Sequence, residues 1–250
     1  MCSIVFAWQW RAETPLVLVA NRDESTTRPS DPPALLQGDP PLWGGRDRLA
    51  GGTWLAVDPR GRVCAVTNRH PHGRPPARDP ARRSRGGLPT DLLNAGDDAA
   101  ALQAMSVLRP SEYNPVNIVY LSGTTVAWVA LDDESGRRSG TLSPGVHVIT
   151  EQDPDDRSSL KASSLLRAAG EVADRARDVA ALTEGFRAVL RSHERAGEGP
   201  ETAACIHEVE FGTVSSASVV VTTDGVHFDH AEGHPCVTPY VRVPSPYLGG

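Results

Sequence analysis

A cysteine at position 2, directly after the initiator methionine, is the residue in this sequence best equipped for covalent chemistry. Removal of Met1 by an aminopeptidase, which a small second residue permits, would put a thiol and a free α-amine on Cys2. The reference pKa is about 7.7 to 8.0 for the amine and about 8.5 for the thiol, so the amine can serve as the thiol's own general base. Such a thiol would attack an amide or ester carbonyl to give an acyl-thioester, and the oxyanion formed on the way needs hydrogen-bond donors. Groups suited to these tasks follow in the sequence. Arg22 would favour the thiolate, as a neighbouring cation does. Asp23 would accept a hydrogen bond from the α-amine, and the side chain of Asn68 would donate to the oxyanion. Asn21, Arg46, Trp54 and Arg85 are the candidate substrate-binding residues, with Trp43 and Trp54 beside glycines that would let them line an apolar pocket.

These groups need elements to position them. Ile4 to Trp10 and Leu16 to Ala20 are apolar runs rich in β-branched and aromatic residues, and they read as a hairpin turning at Arg11 to Pro15. Such a hairpin returns Asn21 to Glu24 to the neighbourhood of Cys2. From Asn21 to Gly52 the density of prolines reads as a long loop. Thr53 to Val57 and Arg62 to Thr67 form a second hairpin around Asp58 to Gly61. Helical spacing covers Gly86 to Leu93 and Ala99 to Leu108, the latter with Asp97 as N-cap, and later Ser158 to Ala176 and Val179 to His193. Strands are expected at Asn117 to Leu121, Thr124 to Leu131, Arg137 to Leu142, Val146 to Thr150, Ala203 to Glu208, Thr213 to Thr223, Val226 to Ala231 and Val237 to Val243. Asp224-Gly225 marks a hairpin turn between two alternating runs. Strands arriving as adjacent hairpins, with helices in pairs between them, favour an α+β layered protein of antiparallel sheets over a βαβ alternation. No internal repeat or linker divides the 250 residues, so one domain over 1–250 is expected.

Composition removes several function classes. The 25 basic residues against 31 acidic ones give a net charge of −6, which leaves no general electrostatic footprint for nucleic acid or an anionic membrane. Lys161 is the only lysine, the remaining bases being arginine, a skew that reads as a GC-rich coding sequence. No apolar run is long enough to cross a membrane, and the start lacks the pattern of a secretory signal, so a cytoplasmic, reduced protein is expected. Cys64, Cys205 and Cys236 stand in apolar contexts without any C-x-x-C pair, and they read as core thiols. His227, His230 and His234 cluster in sequence, but residues three apart on a strand face opposite ways, so no metal site is expected. Arg74, Arg78, Arg82, Arg83 and Arg85 fall in a net-basic stretch from 69 to 86, read as a solvated loop, as are His70 and His72. Arg46 and Asp47 are expected to pair as a loop clamp.

Cys2 with its hairpin, Asn21-Arg22-Asp23-Glu24, Gly45-Arg46-Asp47, Gly51-Gly52-Thr53-Trp54-Leu55-Ala56, Thr67-Asn68, Ser84-Arg85-Gly86, Asn114-Pro115-Val116-Asn117, Leu142-Ser143-Pro144-Gly145 and Phe211-Gly212-Thr213 together resemble the NRDE family, which includes the Transport and Golgi organisation protein 2 homologues. That family in turn resembles N-terminal nucleophile hydrolases of the choloylglycine hydrolase and penicillin acyltransferase type. The resemblance implies a four-layer αββα sandwich with two antiparallel sheets flanked by helices. It also implies Cys2 as nucleophile, Asp23 as holder of the α-amine and Asn68 as oxyanion donor. The implied activity is a cysteine amidohydrolase or acyltransferase acting on a small amide or ester, with no cofactor. The alternative it implies is a non-enzymatic carrier of haem or a lipid-like small ligand on the same scaffold. Three departures stand out. The arginine that family members carry after the Gly-Thr pair is replaced by Val214, a Leu-Ser-Asn segment is replaced by Val148-Ile149-Thr150, and a Pro-Lys segment is not recognisable in Asp153 to Leu160. In the hydrolases, moreover, the arginine precedes the asparagine and aspartate, so the role of Arg22 is less directly implied than that of Asp23.

Overall fold

The structure is a computed structural model that describes residues 2–36, 38–71 and 76–244. Met1, His72 and Arg74, which enter the expectations about N-terminal processing and the basic stretch, lie outside the described residues. In chain order the strands begin with β1 (Ser3–Arg11), β2 (Thr14–Ser25), β3 (Ser30–Leu36), β4 (Leu42–Asp47), β5 (Leu55–Val57) and β6 (Val63–Asn68). Helices α1 (Leu88–Leu93) and α2 (Asp98–Ser106) precede β7 (Val116–Leu121), β8 (Val126–Asp132), β9 (Gly136–Thr141) and β10 (Gly145–Ile149). Helices α3 (Leu160–Arg175) and α4 (Val179–Leu190) then lead to β11 (Phe211–Thr222), β12 (Gly225–Glu232) and β13 (Val241–Arg242). The described chain forms two compact units. The first is built from the described residues of 2–27 and 144–244, and the second from those of the stretch between them, 28–143.

The first unit is a six-stranded antiparallel sheet in the order β10-β1-β2-β11-β12-β13. Its strand face carrying Val5, Ala7, Val17, Val19, Val148 and Val220 packs against Ala162, Leu165 and Ala169 of α3 and Leu182, Phe186 and Leu190 of α4. Ile4, Phe6, Leu16 and Leu18 on the other face are buried as well. Burial of both faces is why β1 and β2 read as near-continuous apolar runs rather than as an alternation. Both helices begin on a capping side chain, Ser159 accepting from the Ala162 N–H and Asp178 from the Ala181 N–H, which satisfies a donor the first turn cannot pair internally.

The second unit is a seven-stranded antiparallel sheet running β3 to β9 in sequence order. Leu42, Ala56, Cys64, Ile118, Tyr120 and Val129 pack against Leu88, Leu92, Ala101 and Met105 of α1 and α2. The β5–β6 turn is closed by Asp58, whose carboxylate accepts from the Arg60 and Arg62 N–H groups and pairs with the Arg62 guanidinium at 2.7 Å.

The antiparallel α+β architecture and the hairpins agree with the sequence reading, but His70, read as part of a solvated loop, is buried, and three element assignments differ. Residues 21–52 are not one loop. Strand β2 continues to Ser25, and β3 and β4 occupy much of the remainder. Pro32 and Pro33 fit because β3 is an edge strand, where a missing N–H breaks no ladder. Ala203 to Glu208 is not a strand; apart from a bridge between His207 and Gly212 it is coil, packed by its backbone against neighbouring segments. Of Val237 to Val243 only Val241 and Arg242 are paired as strand.

Candidate active site

Cys2 stands immediately before β1, and the register Ser3 with Asn21 and Ile4 with Ala20 carries the end of β2 alongside it. The Cys2 thiol donates to the Asp23 carbonyl oxygen at 3.7 Å. The hairpin therefore brings together Cys2, Arg22 and Asp23. Alternation along β2 turns Asn21 and Asp23, like Val17 and Val19, toward the helices, and Arg22 to the opposite face.

The two helix-facing polar residues are held differently. Asn21 donates its side-chain amide to the Leu190 carbonyl at 2.8 Å and the Ala204 carbonyl at 2.9 Å. The Leu190 carbonyl belongs to the last turn of α4, where it has no partner within the helix, so Asn21 ties β2 to the end of α4 and to the coil that follows. The Asp23 carboxylate accepts a 2.6 Å hydrogen bond from the Thr213 hydroxyl, whose residue lies opposite it across the β2–β11 ladder. The same hydroxyl oxygen accepts from the Ile206 N–H at 3.0 Å. The second carboxylate oxygen lies 3.6 Å from the Lys161 ammonium, with side-chain exposures of 0% for Asp23 and 2% for Lys161.

Lys161 was not singled out for a site from the sequence, although two signals were present. It is the sole lysine in a chain otherwise committed to arginine, and it sits in the first turn of α3, where the helix dipole disfavours a cation. Its placement is explained by the buried carboxylate it meets. It is also the first residue past Asp153 to Leu160, where no Pro-Lys segment is recognisable.

Burial pushes the Cys2 thiol above its ordinary range, and the negative charge of Asp23 adds to that effect. Arg22 pulls in the direction expected from the sequence but is outweighed. The thiol is accordingly protonated at neutral pH, and turning it into a nucleophile requires a base.

The other predicted site residues belong to the second unit. Asn68 ends β6 opposite Val116. Asp47 pairs with Arg28 at 2.7 Å and accepts from the Leu49 and Ala50 N–H groups, so the clamp is Arg28 with Asp47 and not Arg46 with Asp47. Arg46 is exposed and borders a cavity of about 710 Å³ that Gly51, Gly52, Thr53, Ser84 and Gly87 also line. The Gly51-Gly52-Thr53 and Ser84-Arg85-Gly86 segments meet backbone to backbone, with the Thr53 N–H donating to the Gly86 carbonyl at 2.9 Å. Trp54 packs across Gly45, where a Cβ would lie 2.4 Å from its ring. Arg85 donates to the Pro115 carbonyl at 2.9 Å. Asn117 accepts from Arg69, which is paired with Asp132 at 2.7 Å in the interior.

A family model described as Transport and Golgi organisation 2 matches residues 1–234. A Transport and Golgi organization 2 homolog from Mus musculus is 32% identical over 126 residues, covering 48% of this chain and 44% of that protein. The Homo sapiens homolog is 31% identical over 126 residues with the same coverage of 48% and 44%. The matched stretch thus spans under half the length of these curated relatives. Among solved structures, a Caenorhabditis elegans N-acylethanolamine-hydrolyzing acid amidase ortholog aligns over 87% of this chain and 92% of its own, with a TM-score of 0.54 at 13% identity. A variant of the conjugated bile acid hydrolase from Clostridium perfringens aligns over 99% and 98%, with a TM-score of 0.50 at 8% identity. At such identities the likeness is one of fold.

Proposed function

The chain belongs to the Transport and Golgi organisation 2 family, and from that premise and its N-terminal-nucleophile-hydrolase-like fold we propose that it is a cysteine amidohydrolase or acyltransferase acting on a small amide or ester through Cys2. The observation that carries this reading is the thiol of Cys2 lying against the main-chain carbonyl of Asp23, a residue whose carboxylate is fixed on the helix side by Thr213 and Lys161.

The reaction requires Met1 to be removed. The α-amine of Cys2 then takes the thiol proton, and the sulfur attacks the substrate carbonyl. Collapse of the tetrahedral adduct expels the amine or alcohol, which leaves with the proton held by the α-ammonium. Water, or an acceptor amine or alcohol, releases the acyl group from sulfur by the same steps in reverse. Asp23 is close enough to act on the Cys2 thiol electrostatically, and a carboxylate in that position would hold the α-amine and stabilise it once protonated. Lys161 and Thr213 hold this carboxylate in place. The role of Asn68 as oxyanion donor rests on the family resemblance.

Turnover of a panel of small N-acyl amides and esters tests the proposal. Hydrolysis or transfer by the wild type that is abolished in Cys2→Ala supports it, whereas equal turnover by the two proteins overturns it.

A further inference from the structure

Four ligand-type side chains that the chemistry proposed for Cys2 does not use converge in the first unit. His193 follows the end of α4, Cys205 and His207 lie on the coil leading to β11, and Cys236 lies in the turn after β12. One donor atom from each falls within 4.8 Å of the others. The His207 Nε2 atom is 3.5 Å from the Cys205 sulfur and 3.2 Å from the Cys236 sulfur. A tetrahedral ion bound by two thiolates at about 2.3 Å and two imidazoles at about 2.0 Å has donor-to-donor edges of about 3.3 to 3.8 Å, and the two His207–sulfur separations are close to that range.

Both imidazoles are held in place. His193 Nδ1 lies 3.1 Å from the Cys205 carbonyl oxygen. A carbonyl only accepts, so Nδ1 is the donor, and the Nε2 of a neutral ring is free to bind an ion. This hydrogen bond from the second nitrogen to a backbone carbonyl is the usual support of a metal-bound histidine. The ring of His207 stacks on that of His234 with centroids 3.7 Å apart, which fixes its plane.

We propose that His193, Cys205, His207 and Cys236 form a structural binding site for one divalent zinc ion. Two sulfurs and two imidazole nitrogens are the donor set that selects zinc over the harder cations. Binding displaces the two thiol protons, so that two thiolates neutralise the ion. Four protein ligands close the coordination sphere and leave no position for substrate. A disulfide between the cysteines would account for the two sulfurs but not for two imidazoles converging on them.

The ion would clip three segments, two of which, the end of α4 and the coil around Cys205, contact the end of β2. The Cys205 N–H already donates to the Ser192 carbonyl at 2.9 Å. On either side of Cys205, the Ala204 carbonyl receives Asn21 and the Ile206 N–H is bound by Thr213, the residue that donates to Asp23. The site would thus brace the end of β2 from behind.

Elemental analysis of the full chain, purified reduced and without chelators, followed by cobalt titration of the metal-stripped protein, tests the proposal. One zinc per chain is expected, together with the intense visible absorption and thiolate charge-transfer band of tetrahedral cobalt. Cys236→Ser, at a half-buried position, should lose the bound zinc and show no thiolate charge-transfer band on cobalt titration, whereas Cys2→Ala should keep both whether or not Cys2 is a nucleophile. A reduced wild-type protein of native circular dichroism that takes up neither zinc nor cobalt overturns the proposal. So does unchanged metal binding by Cys236→Ser, or an intact mass short by the two hydrogens of a Cys205–Cys236 disulfide.

Discussion

The Asp23 carboxylate meets the Lys161 ammonium at 3.6 Å, and both side chains are withdrawn from solvent. A charge pair in such a place adds little net stability over an apolar pair, but breaking it from one side leaves an uncompensated buried charge. Lys161→Met is therefore expected to destabilise the protein by about 3 to 5 kcal/mol. Asp23→Leu combined with Lys161→Met should recover most of that loss. Chemical denaturation of the two variants checks this, and equal destabilisation in both would show that the loss comes from packing rather than charge.

Thr213 is expected to matter through its hydroxyl. Thr213→Val keeps the shape but removes the donor to Asp23 and the acceptor for the Ile206 N–H. A hydrogen bond to a charged group contributes about 1.5 to 3 kcal/mol, and a loss in that range is the expected denaturation result. Thr213→Ser should lie close to wild type.

The pH dependence follows from the raised Cys2 thiol. In protein that retains Met1, the thiolate fraction at neutral pH is below that of an unfolded cysteine, and iodoacetamide should label Cys2 slowly. The rate should rise about tenfold per pH unit and keep rising beyond about pH 8.5, where a free thiol levels off. The stability sign follows the same logic. The unfolded thiol ionises first, so the raised thiols of the half-buried Cys2 and the buried Cys64 contribute fully below about pH 8.5, and their contribution falls as pH rises above it. A labelling rate already at its plateau at pH 7 would contradict the environment described for Cys2.

Gly52 is required by a close backbone approach. A Cβ there would lie 2.4 Å from the carbonyl carbon and oxygen of Gly86, whereas one on Gly51 would meet nothing within 4 Å. Gly52→Ala is expected to lower stability by at least about 1 to 3 kcal/mol through overpacking. Gly51, at φ +77°, should show only the smaller strain cost of placing a side chain in the left-handed region. Thermal unfolding of the two alanine variants compares them directly.

What was legible in the sequence followed the type of signal each residue gives. The β1–β2 hairpin announced itself through dense β-branched and aromatic runs, and Asp97 as an N-cap through its place before an apolar-periodic segment; it does accept from the Ala100 N–H. The strands β3 and β4 were hidden because Pro32 and Pro33 mark a break everywhere except on a sheet edge. Ala203 to Ile206 looked like a strand because its residues are buried, but they are buried as coil, held by Asn21, Ser192 and Thr213. Of the site, Cys2 and Asp23 were legible because the hairpin register relates them locally. Lys161 and the His193–Cys205–His207–Cys236 group were not, since their partners come from distant parts of the chain and no short spacing records the convergence.

Intact mass spectrometry of the purified protein, before and after incubation with an electrophilic acyl probe, tests the role of Cys2 most directly. The account predicts a mass lacking Met1, a single acyl adduct that maps to Cys2, and no adduct in Cys2→Ala. Retention of Met1, or acylation that persists unchanged in Cys2→Ala, would contradict it.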